Sequence, residues 1–237
     1  MCSVFKALAG AAVLRDLGQV GGRVIHAGRL PLASIYDRYV MYGGCVTTRE
    51  EIYRHLREYA AHLTPPPPFS DRFEISGNTL VMMMSPAGRH ERAAWMLAHQ
   101  LQPQLPEGLI AHTGGDVEDS SLGILRRPDL VVLPFAATDT DDAFPAEAVE
   151  LAVEIVSPSN PENDYQNKIL DYPAMGIPHY LIIDPRNGTA HHHWRIVTKD
   201  GRPEYDNHVA YVFGDKIAVG DWTVDTVGLP RYGGVGE

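Results

Sequence analysis

Short apolar runs, separated by charged, glycine-rich or proline-rich breaks, set the pattern of this chain. "RFEISGNTLVMMMSP" (72–86) reads as two strands joined by a turn at Ser76-Gly77-Asn78. In the following "SPAGRHERAAWMLAHQLQPQL", Ala94, Leu97, Leu101 and Leu105 fall roughly on one helical face, which predicts a helix over 86–102. Strands are expected at 109–113, 129–134 and 150–157, a helix from about 161 to 172, a strand at 179–183 and further short strands through "YVFGDKIAV". No internal repeat interrupts the order. The pattern predicts an α/β domain of the α+β kind, a mixed, twisted sheet flanked by the 86–102 and 161–172 helices.

Upstream, "VTTREEIYRHLREYAAHL" (46–63) reads as a helix, and "TPPPPFS" (64–70) as a stiff spacer, since each proline fixes its φ and lacks a donor. Residues 1–45 differ from the rest. They carry five Lys/Arg against two Asp/Glu and are interrupted by glycines at 18, 21, 22, 28, 43 and 44. The expected organisation is a poorly packed extension over 1–45, a helix and Pro-rich linker over 46–69, and the domain proper over 70–237. One reading starts the protein at Val46, from a non-AUG initiator codon.

A length of 237 residues suits one sizeable core, and 44% hydrophobic with 21% charged residues places the chain among globular proteins. Cys2 and Cys45 are the whole cysteine complement, so neither a disulfide framework nor a thiolate zinc site is available, which fits a reducing cytoplasm. No apolar run approaches the roughly 18 residues that a membrane span needs, and no signal-peptide pattern stands out in "ALAGAAVL" (7–14). The net charge of -10 opposes broad affinity for polyphosphate but leaves room for a locally basic cleft.

"RRPDLVVLPF" (126–135) and "ELAVEIVSPS" (150–159) are apolar strand runs that each carry a carboxylate, Asp129 and Glu154. Burying an unpaired charge costs several kcal/mol, so Glu154 needs a proton, a cationic partner or a metal. An antiparallel pairing of the two runs would bring the carboxylates together. They then repel unless a cation lies between them, and an oxygen-only ligand set selects Mg²⁺ or Mn²⁺. The alternative is that Asp129 caps a turn after Pro128 while Glu154 pairs with an arginine.

"RPDLVVL" followed by "LAVEIVSPSNPENDYQNKILDYPAMGIPHYLIIDP", with the "FEISGNTLVMMMSP" hairpin and "RHE" helix before them, resembles the Uma-two family of restriction-type endonucleases, a branch of the PD-(D/E)XK nuclease superfamily. The resemblance covers roughly 70–230 and implies a restriction-endonuclease-like core. In the superfamily a lysine follows the strand acid by two places; here that place is Val156. The family takes the lysine from the next helix, where Lys168 matches. Without the resemblance, Lys168 reads as half of a solvated i, i+4 pair with Asp164, worth roughly 0.3–0.5 kcal/mol. Glu91 matches an acid that supports the metal in some members, although a glutamate is favoured in any first helical turn. His90 matches a family histidine without an assigned role. Pro173 falls where the family continues its helix, so a break or kink is expected near Tyr172. His179 and Leu181 replace a usual Glu and Trp. "HHHW" (191–194) invites a metal reading, but consecutive strand residues point to alternate faces.

The resemblance implies a Mg²⁺- or Mn²⁺-dependent DNA endonuclease with Glu91, Asp129, Glu154 and Lys168 as catalytic candidates. Asp129, Glu154 and the Ile155 carbonyl would hold the metal, Lys168 would orient the attacking water, and the products would be a 5′-phosphate and a 3′-hydroxyl. DNA is the expected partner, with a homodimer also compatible. The competing class is a catalytically silent nuclease-fold module that binds nucleic acid or a protein. Another metal-dependent hydrolase is permitted by the same ligands.

Overall fold

A computed structural model describes residues 4–8, 11–15, 39–42, 45–65, 69–158 and 160–233. The chain divides into two compact units, residues 1–85 with 119–126 and residues 86–118 with 127–237.

The first unit contains strands β1 (Val4–Leu8), β2 (Ala11–Arg15), β3 (Tyr39–Tyr42) and β4 (Cys45–Thr48), helix α1 (Arg49–His62), and strands β5 (Phe69–Ser76), β6 (Thr79–Met84) and β9 (Ile124–Arg126). The helix predicted from residue 46 starts at Arg49 because Thr48 caps it. Thr48 Oγ1 accepts from the Glu51 amide at 3.2 Å, and the Glu51 carboxylate accepts from the Thr48 amide at 2.8 Å. β5 and β6 form the expected hairpin. Gly77 and Asn78 have φ of 54° and 61°, the left-handed pair that a two-residue turn requires. Ile75, Leu80 and Met82 are buried, and so is an ion pair the sequence did not announce, Arg126 Nη1 to Glu74 Oε2 at 2.9 Å. The side chains of residues 1–45, on which the expected loose packing turns, and the spacer's Pro66–Pro68 lie outside the described residues.

The second unit contains α2 (Gly88–Leu101), β7 (Leu109–Thr113), β8 (Val117–Asp119), β10 (Leu130–Pro134), β11 (Phe144–Pro145), β12 (Leu151–Ile155), α3 (Lys168–Ala174), β13 (His179–Asp184), β14 (Thr189–Lys199), β15 (Arg202–Val212), β16 (Lys216–Val219) and β17 (Trp222–Asp225). Its main sheet is six-stranded in the order β15-β14-β13-β12-β10-β7. β12 and β13 run parallel and the other neighbours antiparallel, so the sheet is mixed as expected. Ala93, Leu97 and Leu101 of α2 pack against Leu130, Val132, Leu151, Val153, Ile155, Leu181 and Ile183. Strand alternation turns Val131, Ala152, Glu154 and Ile182 toward the opposite face, which explains why the runs are apolar throughout and why one carboxylate interrupts them. β16 and β17 pair beside α2, where Gln100 and Gln104 each bond the β17 backbone through both side-chain amide atoms.

The crossover from β12 to β13 is helical from residue 161, passes through a π-helical turn at Asn163–Asn167 and continues as α3. The break expected near Tyr172 does not occur. Pro173 sits in the last turn, where the helix is ending anyway. Met175 N bonds Asp171 O at 2.9 Å, and Gly176, at φ 80°, closes the end with its amide on Pro173 O at 3.2 Å. The irregularity falls upstream, at the π turn, a feature common beside functional sites. Among the described residues no helix is long and apolar enough to cross a membrane.

Candidate active site

The antiparallel register of β10 and β12 pairs Leu130 with Val153 and Val131 with Ala152. One step further along the two strands, just beyond the Leu130–Val153 pair, come Asp129 on β10's side and Glu154 on β12's. Backbone bonds secure that step: Asp129 N donates to Val153 O and Gly114 N to Asp129 O, both at 3.0 Å. The Asp129 side chain folds back, its Oδ2 accepting from the Ile155 amide at 2.7 Å, and remains 20% exposed.

Glu154 points to the α3 side of the sheet and is 3% exposed. Lys168 Nζ lies 2.8 Å from its Oε1 and 3.1 Å from Asp164 Oδ1, and the Tyr172 hydroxyl donates to the same Glu154 oxygen. Asp164, Lys168 and Tyr172 follow one another at intervals of four, so one stripe of the helical crossover delivers all three. Tyr180 extends the support from β13, packing edge-on against Tyr172 at 4.8 Å between ring centres and donating to the Asp164 carbonyl at 2.9 Å. Lys168 is 2% exposed, so its ammonium stands between two carboxylates away from water. The solvated i, i+4 pair is thereby excluded. The arginine considered as a partner for Glu154 is a lysine.

On the α2 side, His90 Nε2 is 2.8 Å from the Ile155 carbonyl oxygen and 3.3 Å from Asp129 Oδ2. Burial disfavours the charged ring, but the bond to Asp129, that residue's charge, the Ile155 carbonyl and the more distant Asp164 outweigh it and raise the histidine above its ordinary pKa. Asp184, fully buried at the end of β13, accepts two side-chain bonds from Arg186, at 2.9 and 2.7 Å, and one from the Tyr165 hydroxyl at 3.0 Å. Burial alone would raise its carboxyl, yet these bonds hold it below the usual carboxylate range.

The structure joins Asp129 to the Ile155 amide and to His90, for which the motif offered no role, and joins Glu154 to Lys168; Glu154 and Ile155 are neighbours on β12. Glu91 does not join them. It is exposed in the first turn of α2, and among the described residues its carboxylate has no hydrogen-bond or ion-pair partner. Its position beside His90 is what the motif match detected. Tyr172 and Asp184 were missed as site residues; the four-residue spacing from Lys168 was the available signal for Tyr172. In "HHHW" the faces alternate as expected, and each histidine instead meets a ring on a neighbouring strand. His191 Nδ1 faces His208 Nε2 at 2.9 Å, His192 Nε2 faces His179 Nδ1 at 3.1 Å, and His193 stacks on His208 at 4.2 Å.

A solved structure from Anabaena variabilis, titled "a putative nuclease belonging to DUF820", resembles this chain with a TM-score of 0.49 at 17% identity, covering 69% of this chain and 88% of its own. No curated protein matches. The sequence model described as "Uma2: Putative restriction endonuclease" matches residues 56–220, a span that includes every residue of the candidate site. The chain therefore belongs to the Uma2 family, and its function is of the nuclease type.

Proposed function

We propose that this protein is a divalent-metal-dependent endonuclease acting on DNA. The observation that carries the reading is the ammonium of Lys168 held 2.8 Å from Glu154, on the strand that pairs antiparallel with the one Asp129 leads into. A strand acid paired with a helix lysine agrees with what the resemblance implies for this family, where the lysine comes from the helix instead of the strand.

The donor set fits a hard cation. Among the described residues no group of three or more His, Cys, Asp or Glu side chains is arranged as a metal cluster, and the resemblance implies a smaller set of two carboxylates and one carbonyl. Asp129 Oδ2 and the Ile155 carbonyl already converge on one electropositive point, the His90 ring nitrogen. Asp129, Glu154 and the Ile155 carbonyl would hold Mg²⁺ or Mn²⁺. The ion, when bound, supplies Lewis acidity, which activates water and offsets charge on the phosphate. Lys168 orients the attacking water and stabilises negative charge as it develops on the phosphoryl oxygens. Tyr172 fixes the Glu154 rotamer and Asp164 fixes the ammonium, so neither group reorganises during the step. His90 holds the Ile155 carbonyl and Asp129 in one orientation. The scissile bond leaves a 5′-phosphate and a 3′-hydroxyl.

Incubation of supercoiled plasmid with wild-type protein in Mg²⁺ or Mn²⁺ tests the reading, beside EDTA and Asp129→Ala controls. Nicked or linear product is expected with the ion alone and not with Asp129→Ala. DNA binding without cleavage in either ion would favour the silent binding module. Absence of both would overturn the nuclease assignment.

A further inference from the structure

The last described segment of the chain runs beside the site without a function so far. Leu229 anchors it in the core, 6% exposed. The carbonyl of Arg231 accepts from Arg89, the neighbour of His90, at 3.4 Å. The amide of Tyr232 donates to the carbonyl of Pro185, the neighbour of Asp184, at 2.9 Å. Residues 231 and 232 therefore span from the first turn of α2 to the end of β13, the two elements that carry His90 and Asp184. The Arg231 guanidinium lies 5.5 Å from the centre of the Phe213 ring and covers Gly188, where an added Cβ would come within 2.4 Å of its central carbon. A side chain at residue 188 would push the Arg231 guanidinium aside.

This anchoring leaves the Tyr232 side chain half-buried, and among the described residues its hydroxyl has no hydrogen-bond partner. Burial first, then the charges of Asp129, Asp184 and Asp164, push the phenol up to about 12, so it stays a neutral donor at ordinary pH. Arg89 and Arg231 are exposed, and Arg186 keeps one guanidinium nitrogen beyond the two engaged with Asp184. In a protein of net charge -10, a phosphodiester strand needs such local cations to approach a carboxylate site.

We propose that Tyr232 is a substrate contact, its hydroxyl donating to a non-bridging oxygen of the DNA backbone beside the scissile phosphate, with Arg89, Arg186 and Arg231 offsetting the surrounding negative charge. This rests on the nuclease reading of Asp129 and Glu154. The test uses the full chain, a fluorescein-labelled DNA duplex and the Tyr232→Phe variant, which removes one oxygen and keeps the ring. In Ca²⁺ the variant should bind the duplex about tenfold more weakly, the worth of one hydrogen bond to a charged group. In Mg²⁺ it should raise KM by a similar factor while kcat changes less than about twofold. Its melting temperature and the increase produced by Mg²⁺ should match wild type, which separates substrate contact from a structural role. Unchanged Kd and KM beside a wild type that binds DNA would overturn this inference alone. A shifted melting temperature in Tyr232→Phe would also overturn it, by making the residue structural. A wild type without affinity for DNA would overturn the inference together with the reading beneath it.

Discussion

The Lys168 ammonium touches Glu154 at 2.8 Å while both side chains are at most 4% exposed, a contact between residues that belong to different elements of one β-α-β crossover. Removing either partner leaves a charge in a low-dielectric site, and such a loss costs about 3–5 kcal/mol. Lys168→Ala should therefore lower the urea midpoint clearly and, in the fraction that folds, reduce plasmid cleavage by about 10²–10³-fold. Titration of the folded variant with Mn²⁺ should still show ion binding. Full cleavage activity in Lys168→Ala would remove the residue from the reaction.

A ligand that binds only the folded protein raises its melting temperature by mass action. Millimolar Mg²⁺ or Mn²⁺ should do so for wild type and not for Glu154→Gln, whose neutral amide keeps the shape and loses the charge. Differential scanning fluorimetry reads the shift. A wild type indifferent to both ions would rule out a cation between Asp129 and Glu154.

Tyr172 donates to the buried Glu154 carboxylate, and a hydrogen bond to a charged group contributes about 1.5–3 kcal/mol. Tyr172→Phe should lose stability in that range by chemical denaturation while the Tyr172–Tyr180 ring contact survives. Cleavage should fall less than in Lys168→Ala, since the hydroxyl acts through Glu154 and not on the substrate.

Acid should weaken the fold through the histidines of β14. Burial, with smaller help from neighbouring histidines, lowers His192 to about 4 and His193 to about 3, although a bond to the Ala218 backbone acts the other way at His192. Above the ordinary histidine pKa of about 6.5 both rings are neutral whether folded or not, and stability is unaffected. Below it the unfolded chain takes up protons that the folded chain refuses, so stability declines from about pH 6.5 toward the folded values. Urea midpoints should fall between pH 7 and pH 5, and His193→Gln should flatten the decline. A pH-independent midpoint over that interval would contradict the burial of these rings.

Local periodicity foretold the elements well: the Gly77-Asn78 hairpin, the α2 face and strands 109–113 and 179–183 follow from two-residue and helical spacings read within a window. The antiparallel pairing of the Asp129 and Glu154 runs was also within reach, because each apolar run carries one carboxylate and a loop joins the two runs. What escaped depends on register between distant strands. Nothing near His191 or His193 specifies His208, which joins them through the β14–β15 pairing. Arg126 finds Glu74 the same way. The aim of Lys168 needed the π turn at 163–167 and the sheet beneath it, and neither has a sequence signature of its own. At the "RHE" motif it is His90, the neighbour of Glu91, that makes the contacts to Asp129 and Ile155.

The parallel pairing of β12 with β13 also constrains how the molecule assembles. β13 with β14 and β14 with β15 close over short turns, whereas β12 reaches β13 only after the whole 156–178 connection has been laid across the sheet. Contacts of greater sequence separation pay more loop-closure entropy and form later. The charged cluster is carried by that late connection, so Glu154 and Lys168 leave water only when the hairpins that will floor the site already exist. A slow refolding phase would accordingly track the recovery of the site, while the β13–β15 meander gains protection from hydrogen exchange ahead of it.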